Sequence, residues 1–172
     1  LQKDLRIRCI FGLAYGSGAR PFELAKLKPG DICAKSGTIY IRNSKGGKDR
    51  YTNLPEGLIG DLREYYTTIR SIKSEWLFPG ANPQNSIDPE SFGAIYRRVK
   101  KQMNLNDPSC FYTFRHSFAT HLMEDGADIR TISEVMGHSS VEQTMRYILV
   151  TKKRIGSIRS PFDTLPKVGD LC

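Results

Sequence analysis

Cysteine is scarce in this chain and badly spaced for joint work. The four residues, Cys9, Cys33, Cys110 and Cys172, form no CxxC and no close pair. That argues against a disulfide scaffold or a zinc site and suits a reducing, cytoplasmic setting. With three histidines and scattered acids, no metal constellation emerges, and no cofactor is expected. No run of about 18 apolar residues exists, which excludes a transmembrane helix and any membrane partner of that kind. Internal repeats and low-complexity segments are absent too. Acid falls short of base, with 18 Asp and Glu against 26 Lys and Arg, a net charge of +8. That sign favours a polyanionic partner and says nothing of fold. A merely basic soluble protein has the same balance.

What is present fits one domain, since 172 residues suffice for one real core and are short for two. The start, Leu1-Gln2-Lys3-Asp4, has no initiator Met or signal-peptide layout. It reads as a cut inside a longer protein, with an N-terminal domain expected outside it. Leu5, Cys9 and Leu13, with Ile10 and Ala14, recur at helical spacing and predict a buried helix that Gly16-Ser17-Gly18 stops. Pro21 suits the first position of a second helix, with Glu23 in its first turn. Pro21 also pushes Arg20 out of helical conformation, onto the corner where that helix starts.

Residues 38–42 and 50–54 read as strands joined by a Gly-containing hairpin loop, Ser44-Lys45-Gly46-Gly47-Lys48-Asp49. A helix with Leu58, Leu62, Tyr65, Tyr66 and Ile69 on one face follows. Glu75-Trp76-Leu77-Phe78 reads as a third strand. Asp88-Pro89 starts another helix, with Phe92, Ile95, Tyr96, Val99 and Met103 facing inward. Its other side carries Arg97, Arg98, Lys100 and Lys101, a face for solvent or for phosphate. A helix from Thr113 to Asp125 buries Phe114, Phe118 and Leu122. The next begins near Asp128, buries Ile129, Ile132, Val135 and Met136, and ends at Gly137. Ser140 and Gln143 have capping-box spacing, so a last short helix is expected to carry Tyr147. The tail from 151 to 172 has two prolines and little periodicity. The class is α+β, mainly helical with a small antiparallel three-stranded sheet.

Four segments carry candidate chemistry before Tyr147. Gly18-Ala19-Arg20-Pro21-Phe22-Glu23 sets an arginine at a corner, and Lys45 sits in the hairpin loop. Tyr112-Thr113-Phe114-Arg115-His116 sets a second arginine at a helix start. Gly137-His138 then precedes Tyr147 by nine positions from the histidine. In this order and at these separations, the segments resemble the tyrosine recombinases of the phage integrase family, above all the Xer-like branch. The resemblance runs from about Phe11 to Tyr147.

It implies a catalytic domain over 1–150, a tail over 151–172 that contacts a neighbouring subunit, and a separate N-terminal DNA-clamping domain. It also implies double-stranded DNA as partner and self-association as a tetramer on DNA. The family's two arginines fall on Arg20 and Arg115, its lysine on Lys45, its late histidine on His138 and its nucleophile on Tyr147. Glu23 and His116 match supporting positions. Tyr112 stands where the family's HxxR box has histidine. A phenol donates a hydrogen bond to phosphate, but with an ordinary pKa near 10 it is a poor general base. Lys48, Arg50, Arg97, Arg98, Lys100 and Lys101 are the candidate phosphate contacts.

The residue types suit the chemistry. Attack on a phosphodiester adds charge to its non-bridging oxygens, and two guanidiniums stabilise that charge by bidentate bonding. Lysine suits protonation of the leaving sugar oxygen. A phosphotyrosine stores the bond energy, so neither ATP nor metal is needed. Each residue alone also has a plain structural role: helix-end ion pairs for the arginines, a solubilising loop for the lysines, a helix cap for His138, packing for the tyrosines and for His121. Two rival functions keep the same residues. One is a non-enzymatic DNA-binding module, since His121 to His138 has helix-turn-helix spacing. The other is a type IB topoisomerase-like relaxing enzyme.

Overall fold

The computed structural model describes residues 4–42, 49–138 and 140–145. Helix α1 (Leu5–Ser17) starts where the Asp4 carboxylate accepts the Ile7 N–H at 3.1 Å. It ends at Gly18, whose φ of 60° is left-handed backbone that favours glycine. Helix α2 (Pro21–Ala25) follows with Arg20 as its N-cap. The sheet comprises β1 (Ile32–Cys33), β2 (Thr38–Ile41) and β3 (Arg50–Asn53), antiparallel in the order β1-β2-β3. Then come α3 (Ile59–Ile69), α4 (Pro89–Gln102), α5 (Thr113–Glu124), α6 (Ile129–Met136) and α7 (Val141–Met145).

The class is as expected, but the third strand is not the predicted one. Residues 75–78 form no strand. The Leu77 N–H donates to the Leu27 carbonyl at 2.8 Å and Phe78 accepts from Ile87 at 2.8 Å. The segment thus bonds to two unrelated stretches, and Ile32–Cys33 takes the edge of the sheet instead. Tyr66 and Met103, expected inside, are exposed. Tyr66 sits one position off the Leu62, Tyr65, Ile69 stripe, and Met103 lies just past the last turn of α4, where helical periodicity no longer governs it.

Two apolar cores result among the described residues. The larger gathers α1, the inner face of the sheet, α3 and α4, with Ile10, Leu13, Ile39, Phe78 and Phe92 fully buried. Around Phe11, the rings of Tyr96, Phe111 and Phe114 pack at centroid distances of 5.1–6.2 Å, edge-on or tilted as aromatic quadrupoles prefer. These rings pin the start of α5 to α1. The smaller core lies between α5 and α6, from Phe118, Ala119, Met123, Ile132 and Met136. Phe114 and Leu122, expected to be buried, are half-buried, and Ala119 and Met123 take the inner positions.

Candidate active site

The site forms where the two cores meet, at the C-terminal end of α6. Gly137 has φ 61° and closes that helix in left-handed backbone, and the His138 N–H reaches back to the Ser133 carbonyl at 3.0 Å. The last carbonyls of a helix carry partial negative charge and lack partners within the helix, so cations gather there. Three guanidiniums do. Arg115 donates to the Met136 carbonyl at 2.7 Å and also to the Gly18 carbonyl. Arg20 donates to the carbonyls of Met136 at 3.4 Å and Gly137 at 3.0 Å. Arg50 donates from Nε to the Val135 carbonyl at 2.8 Å. The Met136 carbonyl is therefore shared by Arg20 and Arg115, the two arginines singled out in the sequence.

Glu23 completes the cluster from the first turn of α2. Its carboxylate accepts from the Arg20 backbone at 2.7 Å, the Arg20 side chain at 2.9 Å, and Arg50 twice, at 2.7 and 2.8 Å. Burial pushes its pKa up, but hydrogen bonds and charge from Arg50, then the backbone and charge of Arg20, outweigh that and hold it at about 2. The carboxylate stays ionised throughout the neutral range. It fixes the plane of Arg20, whose side chain is 19% exposed. On the α6 side, His138 is held by its Nδ1, 2.7 Å from the Thr144 hydroxyl on α7. Tyr112 stands at the N-cap of α5, half exposed, and His116 is exposed one turn on.

Lys45, Lys48 and Tyr147 lie outside the described residues. The other expected phosphate contacts divide. Arg97, Arg98 and Lys101 are exposed on α4. Lys100 is turned back onto Asp107 at 3.1 Å and the Ser109 carbonyl at 3.2 Å, which leaves its side chain 14% exposed. Arg50 differs from these. Its side chain is only 8% exposed and bonded to Glu23 and α6, an internal ion-pair partner in this structure. The signal was in the sequence: strands alternate faces, so the inward Leu54 puts Thr52 and Arg50 on the inner side, and Arg50 pairs with buried Ile41 in the sheet. Thr144 as partner of His138 had no signal, because the path of the chain after α6 decides it.

Comparison with known proteins fits this geometry. The phage integrase family model matches residues 2–154. The chain belongs to that family. Among relatives, tyrosine recombinase XerA of Pyrococcus horikoshii is 34% identical over 154 residues, covering 88% of this chain and 53% of its own. The crystal structure of XerA recombinase superposes with a TM-score of 0.79 at 27% identity, over 90% of this chain and 57% of that one. XerH site-specific recombinase bound to its difH substrate gives 0.75 at 25% identity, over 88% and 45%. This phage integrase family chain thus spans about half the length of the curated relatives it matches. Among the described residues, no helix is long and apolar enough to cross a membrane.

Proposed function

We propose that this domain is the catalytic part of a site-specific DNA recombinase that cuts and rejoins strands through Tyr147. One observation carries the reading: guanidiniums from two separate elements, Arg20 and Arg115, converge on one carbonyl beside His138. A guanidinium has five N–H donors. Anchoring some of them on a helix end fixes its plane and presents an oriented cation to a phosphate.

In the proposed step, the Tyr147 oxygen attacks phosphorus and gives up its proton to solvent water. A bond to the 3′-phosphate forms as the bond to the 5′ oxygen breaks, and that oxygen takes a proton from Lys45. Arg20 and Arg115 stabilise the charge on the non-bridging oxygens, with His138 donating to the same phosphate. Tyr112 donates a hydrogen bond where the family's histidine would. Rejoining runs the step in reverse, with a 5′-hydroxyl as nucleophile. Double-stranded DNA is the partner, with tetrameric assembly on it and residues 151–172 reaching a neighbouring subunit. Family membership supports this reading over the topoisomerase-like one. Family membership likewise favours it over the non-enzymatic module.

The test is trapping on a pool of nicked suicide duplexes with randomised core sequence. Wild type should give an SDS-resistant protein–DNA complex, Tyr147→Phe none, and Tyr112→Phe a slower yield. Equal trapping by Tyr147→Phe would sink the nucleophile assignment.

A further inference from the structure

Among the described residues, Arg50 is the guanidinium of the cluster for which the proposed reaction has no task. Its side chain faces inward from β3, because strand alternation sets it on the side of Ile41 and Thr52. A buried guanidinium is costly unless it is fully engaged. Arg50 meets Glu23 with a two-pronged contact at 2.7 and 2.8 Å, and its Nε holds the Val135 carbonyl at 2.8 Å. A planar fork matched to a carboxylate fixes both partners in orientation as well as distance. Glu23 in turn grips Arg20 by backbone and side chain.

We infer that Arg50 is a positioning residue for the proposed reaction: through Glu23 it sets the guanidinium of Arg20, and through Val135 it ties β3 to the end of α6. The inference deepens the proposed function and rests on it. Three elements that are distant in sequence meet in this one side chain. β3 also begins, at Arg50, five positions after Lys45 in the sequence. Anchoring Arg50 therefore relates the start of that strand to the place where Arg20 and Arg115 converge. The contrast is with a phosphate contact, which would be exposed and would act on binding.

The two roles separate by experiment, with Arg50→Met and Arg50→Lys compared to wild type. Fluorescent duplexes from the same randomised nicked pool report covalent trapping, and anisotropy across a salt series reports binding. A positioning role predicts trapping slowed about 100-fold in Arg50→Met, the scale of a 1 Å misplacement of a reacting group. Arg50→Lys, which keeps the charge but not the fork, should recover part of it. The dependence of log binding on log salt should stay as in wild type, whereas a lost phosphate contact lowers that slope by about 1.

A second readout needs no activity. In protein labelled with nitrogen-15 arginine, the Arg20 Nε–H signal, assigned by its loss in Arg20→Lys, should shift or broaden in Arg50→Met and return towards its place in Arg50→Lys. An unmoved Arg20 signal, or a reduced salt slope with trapping lost only in proportion to binding, overturns the inference. If wild type traps no DNA, the proposed function fails, while the Arg20 signal still decides whether Arg50 positions it.

Discussion

The two cores are built on different terms. The larger is apolar and many-sided: α1 is covered by helices and by the inner face of the sheet, and its rings and aliphatic chains are buried to near completion. The smaller, among the described residues, is one helix pair with a handful of buried side chains. What joins the second to the first at the site is polar. Arg115 reaches the Gly18 carbonyl, and Arg20 and Arg50 reach the carbonyls of α6. Hydrogen bonds involving a charged group contribute about 1.5–3 kcal/mol each, so losing one member weakens such a seam. Arg20 and Arg115 sit on opposite sides of it. The site is therefore assembled by docking the small core, and is not a property of either core alone.

The sharpest way to break this contrast is to hollow each core in turn. Phe92→Ala, in the larger, should cost about 4 kcal/mol and lower protection from hydrogen exchange across α1, α3 and α4 together. Ile132→Ala, in the smaller, should cost about 3 kcal/mol and loosen α5 and α6 while amides of α1 keep their protection. Identical exchange patterns in the two variants would show one cooperative core and dissolve the distinction. A smaller effect targets the seam itself. Gly18 has φ 60°, and a Cβ there would lie 2.3 Å from the Phe118 ring. Gly18→Ala combines left-handed strain with overpacking and should cost about 2–3 kcal/mol. Because Gly18 also accepts from Arg115, trapping on nicked DNA should fall even at temperatures where the variant remains folded. Full trapping by a folded variant would mean that the seam tolerates displacement.

Much of this was legible in advance because local signals agreed with the fold. Gly18, Pro21, Asp88, Asp128 and Gly137 each mark a helix end by a mechanism confined to a few residues, and all five do so here. The order of Arg20, Arg115 and His138 pointed to a shared site, and the fold brings those three to one helix end. The misplaced third strand shows the limit. Leu77 and Phe78 have the composition of a strand, yet their backbone partners are Leu27 and Ile87, which only tertiary packing selects. Arg50 is a subtler case. Its charge suggested the surface, while the two-residue period of its own strand put it inside. Periodicity was the better guide because a buried carboxylate was waiting there, and Glu23 could not have been placed opposite it from sequence.

That carboxylate offers the mildest test of the seam, by pH. Glu23 has an ordinary pKa of 4.5, and in the folded protein it lies at about 2. A group whose pKa is lowered on folding stabilises the fold above its unfolded value, and that contribution is lost as pH falls through the folded value. Wild type should thus lose melting temperature between about pH 4.5 and pH 2 through this group. Glu23→Gln keeps the shape but removes the charge, leaving Arg20 and Arg50 against a neutral amide. It should be less stable than wild type at pH 7, by roughly 2 kcal/mol, and the gap should close as wild type becomes protonated. Other carboxylates, such as Asp61 and Asp128, are also held below their ordinary range, so both proteins will lose stability in acid. The informative quantity is the difference between them. A gap that stays constant from pH 7 to pH 2 would mean that the ionised carboxylate does not hold the arginines, and that the seam rests on the carbonyls of α6 alone.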